Sequence, residues 1–234
     1  VSQDAMALQQ TLQALIQQPL FQNNERLILG GGSNILFTQN FEGIVIKNNI
    51  QGIEVTEDTE RHVVLKANAG VVWHQFVLYT IGKNYAGIEN LSLIPGCVGA
   101  APMQNIGAYG QELSDTFVRL EFVDYETHEI VILDKADLAF GYRDSVIKRG
   151  RPGLITWVEL ELEHFGGLSA PISSGQIAGA FGVQKGDQLP LREVAESVRK
   201  MRATKGMLLS DNDPDSVSCG SFFTNPVVSH TFAR

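Results

Sequence analysis

Cysteine is almost missing: Cys97 and Cys219 are the only two in 234 residues, and they form no Cys-x-x-Cys pair. That leaves no disulfide framework and makes a reducing compartment, the cytoplasm, the expected setting. Basic charge is also short. Eighteen Lys and Arg stand against 26 Asp and Glu, for a net charge of −8. Such a balance argues against nucleic acid or a membrane surface as partner. No apolar run approaches the ~20 residues of a bilayer span, and no secretory signal is visible. The five histidines (His62, His74, His128, His164 and His230) show no metal-ligand spacing and no His-Glu-x-x-His, so no metal site is expected. There is no Gly-x-Ser-x-Gly elbow, no isolated pair of carboxylates to serve as acid and base, and no internal repeat. The run Asp211 to Asp215 reads as a solvated loop.

What is present is enough for one large domain or two smaller ones: 44% of the residues are hydrophobic. Ala5, Leu8, Leu12, Leu15 and Ile16 share one helical face, and Pro19 ends that helix. Short strands are predicted over Arg26 to Leu29, Gly43 to Lys47, Ile50 to Val55 and His62 to Asn68, with a helix from Val72 to about Gly82. Val118 to Tyr125 and Glu129 to Leu133 read as paired strands. Lys135 to Leu138 is a helical turn. Leu154 to Glu163 is a strand that alternates Ile155 and Trp157 with Thr156 and Glu159. A loop covers Phe165 to Gln176. A last helix starts at Pro190 and ends on Arg199, Lys200, Arg202 and Lys205, a basic end that suits the helix dipole without any ligand. This is an α+β pattern, not regular βαβ repeats.

Two glycine-dense stretches stand out. The first is Gly30, Gly31, Gly32, Ser33 and Asn34, directly after a strand. It lacks the third glycine of the dinucleotide fingerprint and the Gly-Lys-Ser/Thr of a P-loop. Backbone amides facing a phosphate and a plain glycine hairpin are equally open readings. The second runs from Ile94 to Gly110, with four glycines and three alanines, and no Lys or Arg occurs from Asn84 to Val118. It is too long for a turn and not periodic enough for a helix or strand. An anionic ligand at this stretch must be held by backbone N–H groups. A buried glycine-rich crossover remains the alternative from these residues alone.

Five segments, in order, resemble the UDP-N-acetylenolpyruvylglucosamine reductase family. They are Leu29 to Leu36, Ile94 to Gly110, Phe140-Gly-Tyr-Arg-Asp-Ser145, Met201-Arg-Ala-Thr-Lys205, and Gly220-Ser-Phe-Phe-Thr-Asn-Pro226. The resemblance covers nearly everything from Leu27 to Val228. It implies an α+β FAD-binding domain of the vanillyl-alcohol-oxidase (PCMH) type, made of two subdomains, followed by the start of a separate substrate domain. The expected division is 1–55, 56–205, and a linker with a truncated third domain over 206–234.

The resemblance further implies FAD held non-covalently, NADPH as hydride donor, and a nucleotide sugar as substrate. The cofactor-binding residues would be Gly30, Gly31, Gly32, Ser33 and Asn34 in the first loop. In the second they would be Pro95, Gly96, Gly99, Ala100, Gln104, Asn105, Gly107, Ala108, Tyr109 and Gly110. Arg143 matches the catalytic arginine and Ser221 the proton-donating serine. Tyr142, Lys205 and Asn225 match substrate contacts. A substrate-covering tyrosine of many members falls at Ser174. The chain opens at Val1 and stops at Arg234, and both ends are expected to be cut. An N-terminal Thr-Phe-Gly segment and a C-terminal catalytic glutamate of the family have no counterpart in it. A non-catalytic FAD-binding fragment is therefore one alternative. Another FAD-dependent oxidoreductase of the same fold is a second, although residues 30–34 offer no His or Cys for covalent flavin.

Overall fold

The structure is a computed structural model. It describes residues 3–208, 212, 214–216, 223–226, 228–229 and 231–232.

In chain order the elements are α1 (Gln3–Ile16), α2 (Pro19–Gln22), β1 (Arg26–Leu29), β2 (Ile44–Lys47), β3 (Ile53–Asp58), β4 (His62–Asn68) and α3 (Trp73–Gly82). After the long loop come β5 (Gly107–Ala108), β6 (Gln111–Glu112), α4 (Leu113–Thr116), β7 (Phe117–Asp124), β8 (Ile130–Asp134), α5 (Lys135–Leu138), β9 (Gly153–Glu163), α6 (Gly175–Phe181) and α7 (Leu191–Ala203). The main sheet has the order β3-β4-β9-β7-β8, with every neighbouring pair antiparallel. β1 and β2 form a separate parallel pair, Arg26 opposite Ile44 through Leu29 opposite Lys47. Parallel strands need a crossover. A glycine hairpin at Gly30–Gly32 is thereby excluded, and residues 30–43 make the crossover instead.

Three apolar clusters hold these pieces. The largest joins α3 (Trp73, Phe76, Val77, Ile81) to the sheet through Leu65, Leu120, Phe122, Val158 and Leu160. The second seats the N-terminal lobe on the far end of the sheet: Leu12, Ile16 and Phe21 meet Val123, Tyr125 and Leu154. Of the face expected on α1, Leu12 and Ile16 are buried and Leu15 is exposed. The side chains of Ala5 and Leu8 lie outside the described residues. The third cluster packs α6 against α7 through Ile172, Ile177, Val194 and Val198. α6 opens inside the last two residues of the loop expected over Phe165 to Gln176 and runs on to Phe181, where no element was expected. Ser174 accepts a hydrogen bond from the Ile177 N–H and starts the helix.

β9 departs from its predicted alternation. Thr156 and Glu159 are buried and Trp157 is half-buried. The register of β7 against β9 slips between Glu121 and Phe122, where Thr156 is the extra residue on β9. A bulge of this kind breaks the two-residue period. The polar face is then covered by pairs across the strands: Thr156 Oγ1 donates to Glu121 Oε1 at 2.6 Å, and Arg119 Nε to Glu159 Oε2 at 2.6 Å. β3 begins at Ile53 and pairs with β4, so residues 53–55, expected in the first unit, are stitched to the second. Asn48 Nδ2 donates to the Ile155 carbonyl at 2.8 Å and ties the N-terminal lobe to the centre of the sheet. Of residues 206–234, expected as linker and third domain, about half fall outside the described set.

Asp124 closes β7 and is 2% exposed. Its carboxylate accepts the N–H groups of Glu126 (2.8 Å) and Thr127 (3.2 Å) and two donors of Arg151 (2.9 and 3.1 Å). Burial works against its charge, but the two N–H groups and the guanidinium outweigh burial and hold its pKa below the usual carboxylate value. A depressed folded pKa contributes stability above the unfolded value, about pH 4. That stability is lost as pH falls from there through the lower folded value. Asp124→Asn should therefore lower stability at pH 7 by about 2 kcal/mol, less than for a fully buried pair because Arg151 reaches solvent. The gap between variant and parent should close below about pH 4. Denaturant melts at pH 7 and pH 3 check this; a gap independent of pH would reject it.

Candidate functional site

The two glycine stretches meet. A Cβ built on Gly31 would lie 3.1 Å from Gly96 Cα, and one on Gly30 would lie 3.5 Å from Ala100 Cβ. Asn34 Nδ2 donates to Gln104 Oε1 at 2.6 Å across the same seam. The second stretch is anchored from below. Val98 N donates to Val71 O and Gly99 N to Ala69 O, both at 2.9 Å, and Trp73 N donates to Gly96 O at 3.0 Å. That last bond satisfies one of the free N–H groups that open α3, which has no side-chain cap. Gly99 must be bare, since a Cβ there would lie 2.5 Å from Ala69 Cβ. Gly32 and Gly96 have φ of 72° and 118°, which glycine adopts at no steric cost.

Both stretches line one cleft of about 630 Å³. Gly30, Gly31, Gly32, Ser33, Asn34, Pro95, Gly96, Gly99, Ala100 and Gln104 are on its walls, with Asn48, Trp73, Tyr125, Arg151 and Ile155. Among the described residues, no acceptor pairs with the N–H groups of Gly31, Gly32, Ser33, Asn34, Gly96 or Cys97. A run of unpaired N–H groups on bare backbone suits an anionic group such as a diphosphate. The volume falls within the range of about 300–1,000 Å³ common for cofactor sites. Arg26 and Arg151 also line the cleft, so backbone is not its only positive element. The Tyr125 hydroxyl is buried there without a partner among the described residues, and burial pushes its pKa up.

Asn105, Gly107, Ala108, Tyr109 and Gly110, expected on the cofactor, do not line this cleft. They turn away into the β5–β6 hairpin and its supports. Asn105 is 1% exposed, with its Nδ2 on Glu112 Oε2 (3.0 Å) and the Gly141 carbonyl (3.1 Å) and its Oδ1 on the Ser114 N–H (2.9 Å). Gly107 is bare for Arg143: a Cβ there would lie 2.5 Å from Nη1. Ser173 Oγ donates to the Gly110 carbonyl, and Tyr109 packs against the α6–α7 cluster.

The hairpin separates two cations. At one end Arg143 donates from Nη1 to Asn105 O (3.2 Å) and Glu112 Oε1 (3.0 Å), and from Nη2 to Gly107 O (2.6 Å). Its guanidinium stands 4.9 Å from the centre of the half-exposed Tyr142 ring. Three of five guanidinium hydrogens are thus used, which leaves Nε–H and one on Nη2 without an acceptor among the described residues. At the other end Lys205 Nζ donates to Gln176 Oε1 at 3.2 Å and stands 5.4 Å from the Tyr109 ring. Arg202 is 9% exposed rather than solvated, its Nε has no partner among the described residues, and burial lowers its pKa. Its spacing, four residues after Val198 on the face of Leu191 and Val194, sets it apart from Arg199 and Lys200. Arg143, Asn105, Tyr109 and Leu93 hold φ of 53°, 44°, 49° and 63°. Such strain concentrates where surrounding structure over-determines a site.

Asn225 is exposed, and no contact ties it to these residues in the described set. Ser221 lies outside the described residues. Ser174, where the resemblance leads one to expect a substrate-covering tyrosine, is buried as the cap of α6.

Comparison with known proteins follows the same lines. Residues 7–134 match the model of the FAD binding domain family. The chain is 46% identical over 219 residues to the UDP-N-acetylenolpyruvoylglucosamine reductase of Leifsonia xyli subsp. xyli, covering 90% of this chain and 58% of that protein. It is 40% identical over 222 residues to the enzyme of that name from Amoebophilus asiaticus, covering 92% and 64%. The chain therefore spans less than two thirds of these relatives. The crystal structure of UDP-N-acetylenolpyruvylglucosamine reductase from Thermus caldophilus shares the fold, with a TM-score of 0.55, 22% identity, and coverage of 93% of this chain and 65% of that one.

The seam between the loops is testable. Gly31→Val should force Gly31 and Gly96 apart and weaken FAD binding at least about tenfold, with the far-UV spectrum unchanged. Gly179→Ala, where a Cβ would meet nothing within 4 Å, should bind FAD like the parent. Titration followed by flavin fluorescence decides; parental affinity in Gly31→Val would remove the cleft from flavin binding.

Proposed function

The chain belongs to the FAD binding domain family, and we propose that it is the flavin-holding part of an NADPH-dependent reductase. The substrate is UDP-N-acetylglucosamine enolpyruvate, reduced to UDP-N-acetylmuramate for peptidoglycan precursors in the cytoplasm. One observation carries the reading: both glycine stretches line a single cleft, and Arg143 is fixed on the continuation of the second. The names of the relatives supply the substrate class. No helix among the described residues is long and apolar enough to cross a membrane.

FAD would be held non-covalently, its diphosphate on the N–H groups of residues 31–34, 96 and 97. Bound flavin supplies the hydride chemistry, from NADPH to the enolpyruvyl double bond. The protein must place the substrate and steady the charge that develops on it. Hydride addition builds negative charge on the substrate carboxylate as an enolate. The two unused donors of Arg143 are neighbours on the planar guanidinium fork and suit that group. The remaining three bonds hold the fork still, so little reorganisation is needed when charge appears. Ser221 would then give the proton to the enol carbon. Tyr142, Lys205 and Asn225 would contact the nucleotide sugar. Lys205 would suit a phosphate, since its partners among the described residues, Gln176 and the Tyr109 ring, carry no charge.

Rapid mixing of full-length, flavin-loaded protein separates these roles. Arg143→Ala should leave FAD affinity and bleaching by NADPH near the parental level. Reoxidation by substrate should slow by on the order of 10²–10³, the usual cost of one preorganised donor. Ser221→Ala should show the same split, and Ser221→Cys should recover part of the rate because a thiol is the stronger acid. Slow bleaching with normal reoxidation in either variant would assign that residue to the NADPH step and refute its role toward the substrate.

A further inference from the structure

We propose that Glu112 is a positioning residue for Arg143, and that its carboxylate couples the guanidinium to the cofactor loop. The inference rests on the reading of Arg143 as the group that meets the substrate. Glu112 uses each oxygen for a different partner. Oε1 accepts from Arg143 Nη1 at 3.0 Å, and Oε2 accepts from Asn105 Nδ2 at 3.0 Å. Asn105 in turn holds the Arg143 guanidinium through its backbone carbonyl and the Gly141 carbonyl through its side chain. A closed circuit results, running from the cofactor loop through Glu112 to the Gly-Tyr-Arg segment and back.

The circuit explains features that a surface ion pair would not. Arg143 and Asn105 both keep φ in the left-handed region, at 53° and 44°. For residues with side chains that conformation costs free energy and persists only where the surroundings enforce it. The guanidinium has three acceptors among the described residues, and the Glu112 carboxylate is the charged one; the other two are the carbonyls of Asn105 and Gly107. A charge-assisted bond is roughly twice as strong as a neutral one. Glu112 stands opposite Gly107 in the β5–β6 pair, so the same backbone ladder fixes the carboxylate and the Gly107 carbonyl relative to each other. Glu112 N also donates to Asp115 Oδ2 at 2.8 Å, which pins the residue at the start of α4.

Removing the charge has a defined consequence. A glutamine would present one acceptor and one donor to two donors, Arg143 Nη1 and Asn105 Nδ2, so one of them would lose its partner. An alanine would free both. Arg143 would keep two carbonyl contacts and could swing, and a displacement of about 1 Å from productive geometry costs on the order of 10²-fold in rate.

The test uses Glu112→Ala, Glu112→Gln, Arg143→Ala and the double variant Glu112→Ala/Arg143→Ala, in full-length flavin-loaded protein. Flavin spectrum, FAD affinity and bleaching by NADPH should stay within about twofold of the parent, because the cleft is untouched. Reoxidation by substrate should slow about 10- to 100-fold in Glu112→Ala. It should slow less in Glu112→Gln, with half-saturation by substrate changing less than the maximal rate. The double variant should be no slower than Arg143→Ala alone, since the positioning has nothing left to position. Parental reoxidation in Glu112→Ala beside a slow Arg143→Ala would overturn the inference and leave the role of Arg143 standing. So would additive losses in the double variant. Parental reoxidation in Arg143→Ala would overturn that role and this inference together. Should Glu112→Ala fail to fold, Glu112→Gln, which keeps size and one acceptor, carries the same comparisons.

Discussion

Backbone lies directly on backbone at two points, and the arrangement of the cleft depends on both. A Cβ on Gly31 would lie 3.1 Å from Gly96 Cα, tighter than an ordinary contact, and one on Gly99 would lie 2.5 Å from Ala69 Cβ, which leaves no room for it. The first contact closes the N-terminal lobe onto the long loop. The second presses that loop onto the end of β4, whose chain continues into α3. Because Gly96 O also accepts the opening N–H of α3, the loop cannot shift without exposing an unpaired donor of the helix. Lobe, loop, sheet and helix are therefore located by one seam of close backbone approaches, with the Asn34–Gln104 side-chain bond beside them. The same bareness leaves the N–H groups of residues 31–34, 96 and 97 without an acceptor among the described residues, so what holds the fold together at this seam also presents the donors proposed for an anion.

The charges are arranged against the general trend of the molecule. The chain carries a net charge of −8, yet the cleft and its continuation gather Arg26, Arg151, Arg143, Lys205 and Arg202. Each cation is restrained differently. Arg151 is paired with buried Asp124, Arg26 lies over the Phe21 and Tyr125 rings, and Arg143 is shared between Glu112 and two carbonyls. Held in this way they cost less to bury and keep a fixed direction, which matters more for an anionic ligand than their number.

Most regular elements were legible in the sequence because their signals are local. The strands over Arg26 to Leu29, His62 to Asn68 and Leu154 to Glu163, the helix after Val72 and the helix after Pro190 all stand where periodicity and end signals put them. What was not legible depends on partners distant in sequence. The burial of Thr156 and Glu159 follows from a bulge against β7, which no pattern within β9 can announce. Gly175, Gly179 and Gly182 hid α6, whose stability comes from packing on α7 rather than from propensity. The parallel pairing of β1 with β2 decides between a hairpin and a crossover, and Gly30 to Gly32 fit either. The site was legible as far as glycine marks close approach. Glycine does not say what approaches: at Gly31 it is another loop, at Gly107 a guanidinium, and at Gly110 the side chain of Ser173. Glu112 carried no signal at all, since its importance lies in two partners, 7 and 31 residues away.

The run from Pro95 to Glu112 therefore divides its labour along its length. Its first half is pinned to residues 69–73 and turns bare backbone to the cleft, while its second half forms a hairpin that braces side chains. Asn105 is the joint between them: buried, left-handed, and bonded to α4, Glu112 and the Gly141 carbonyl at once. A joint with so many directional bonds is stiff, because moving it breaks several of them together and leaves buried polar groups unpaired. Stiffness here links two tasks that different loops could have served. The first half, which turns backbone to the cleft, and Arg143 are thereby held in one frame, and two donors of that arginine have no acceptor among the described residues.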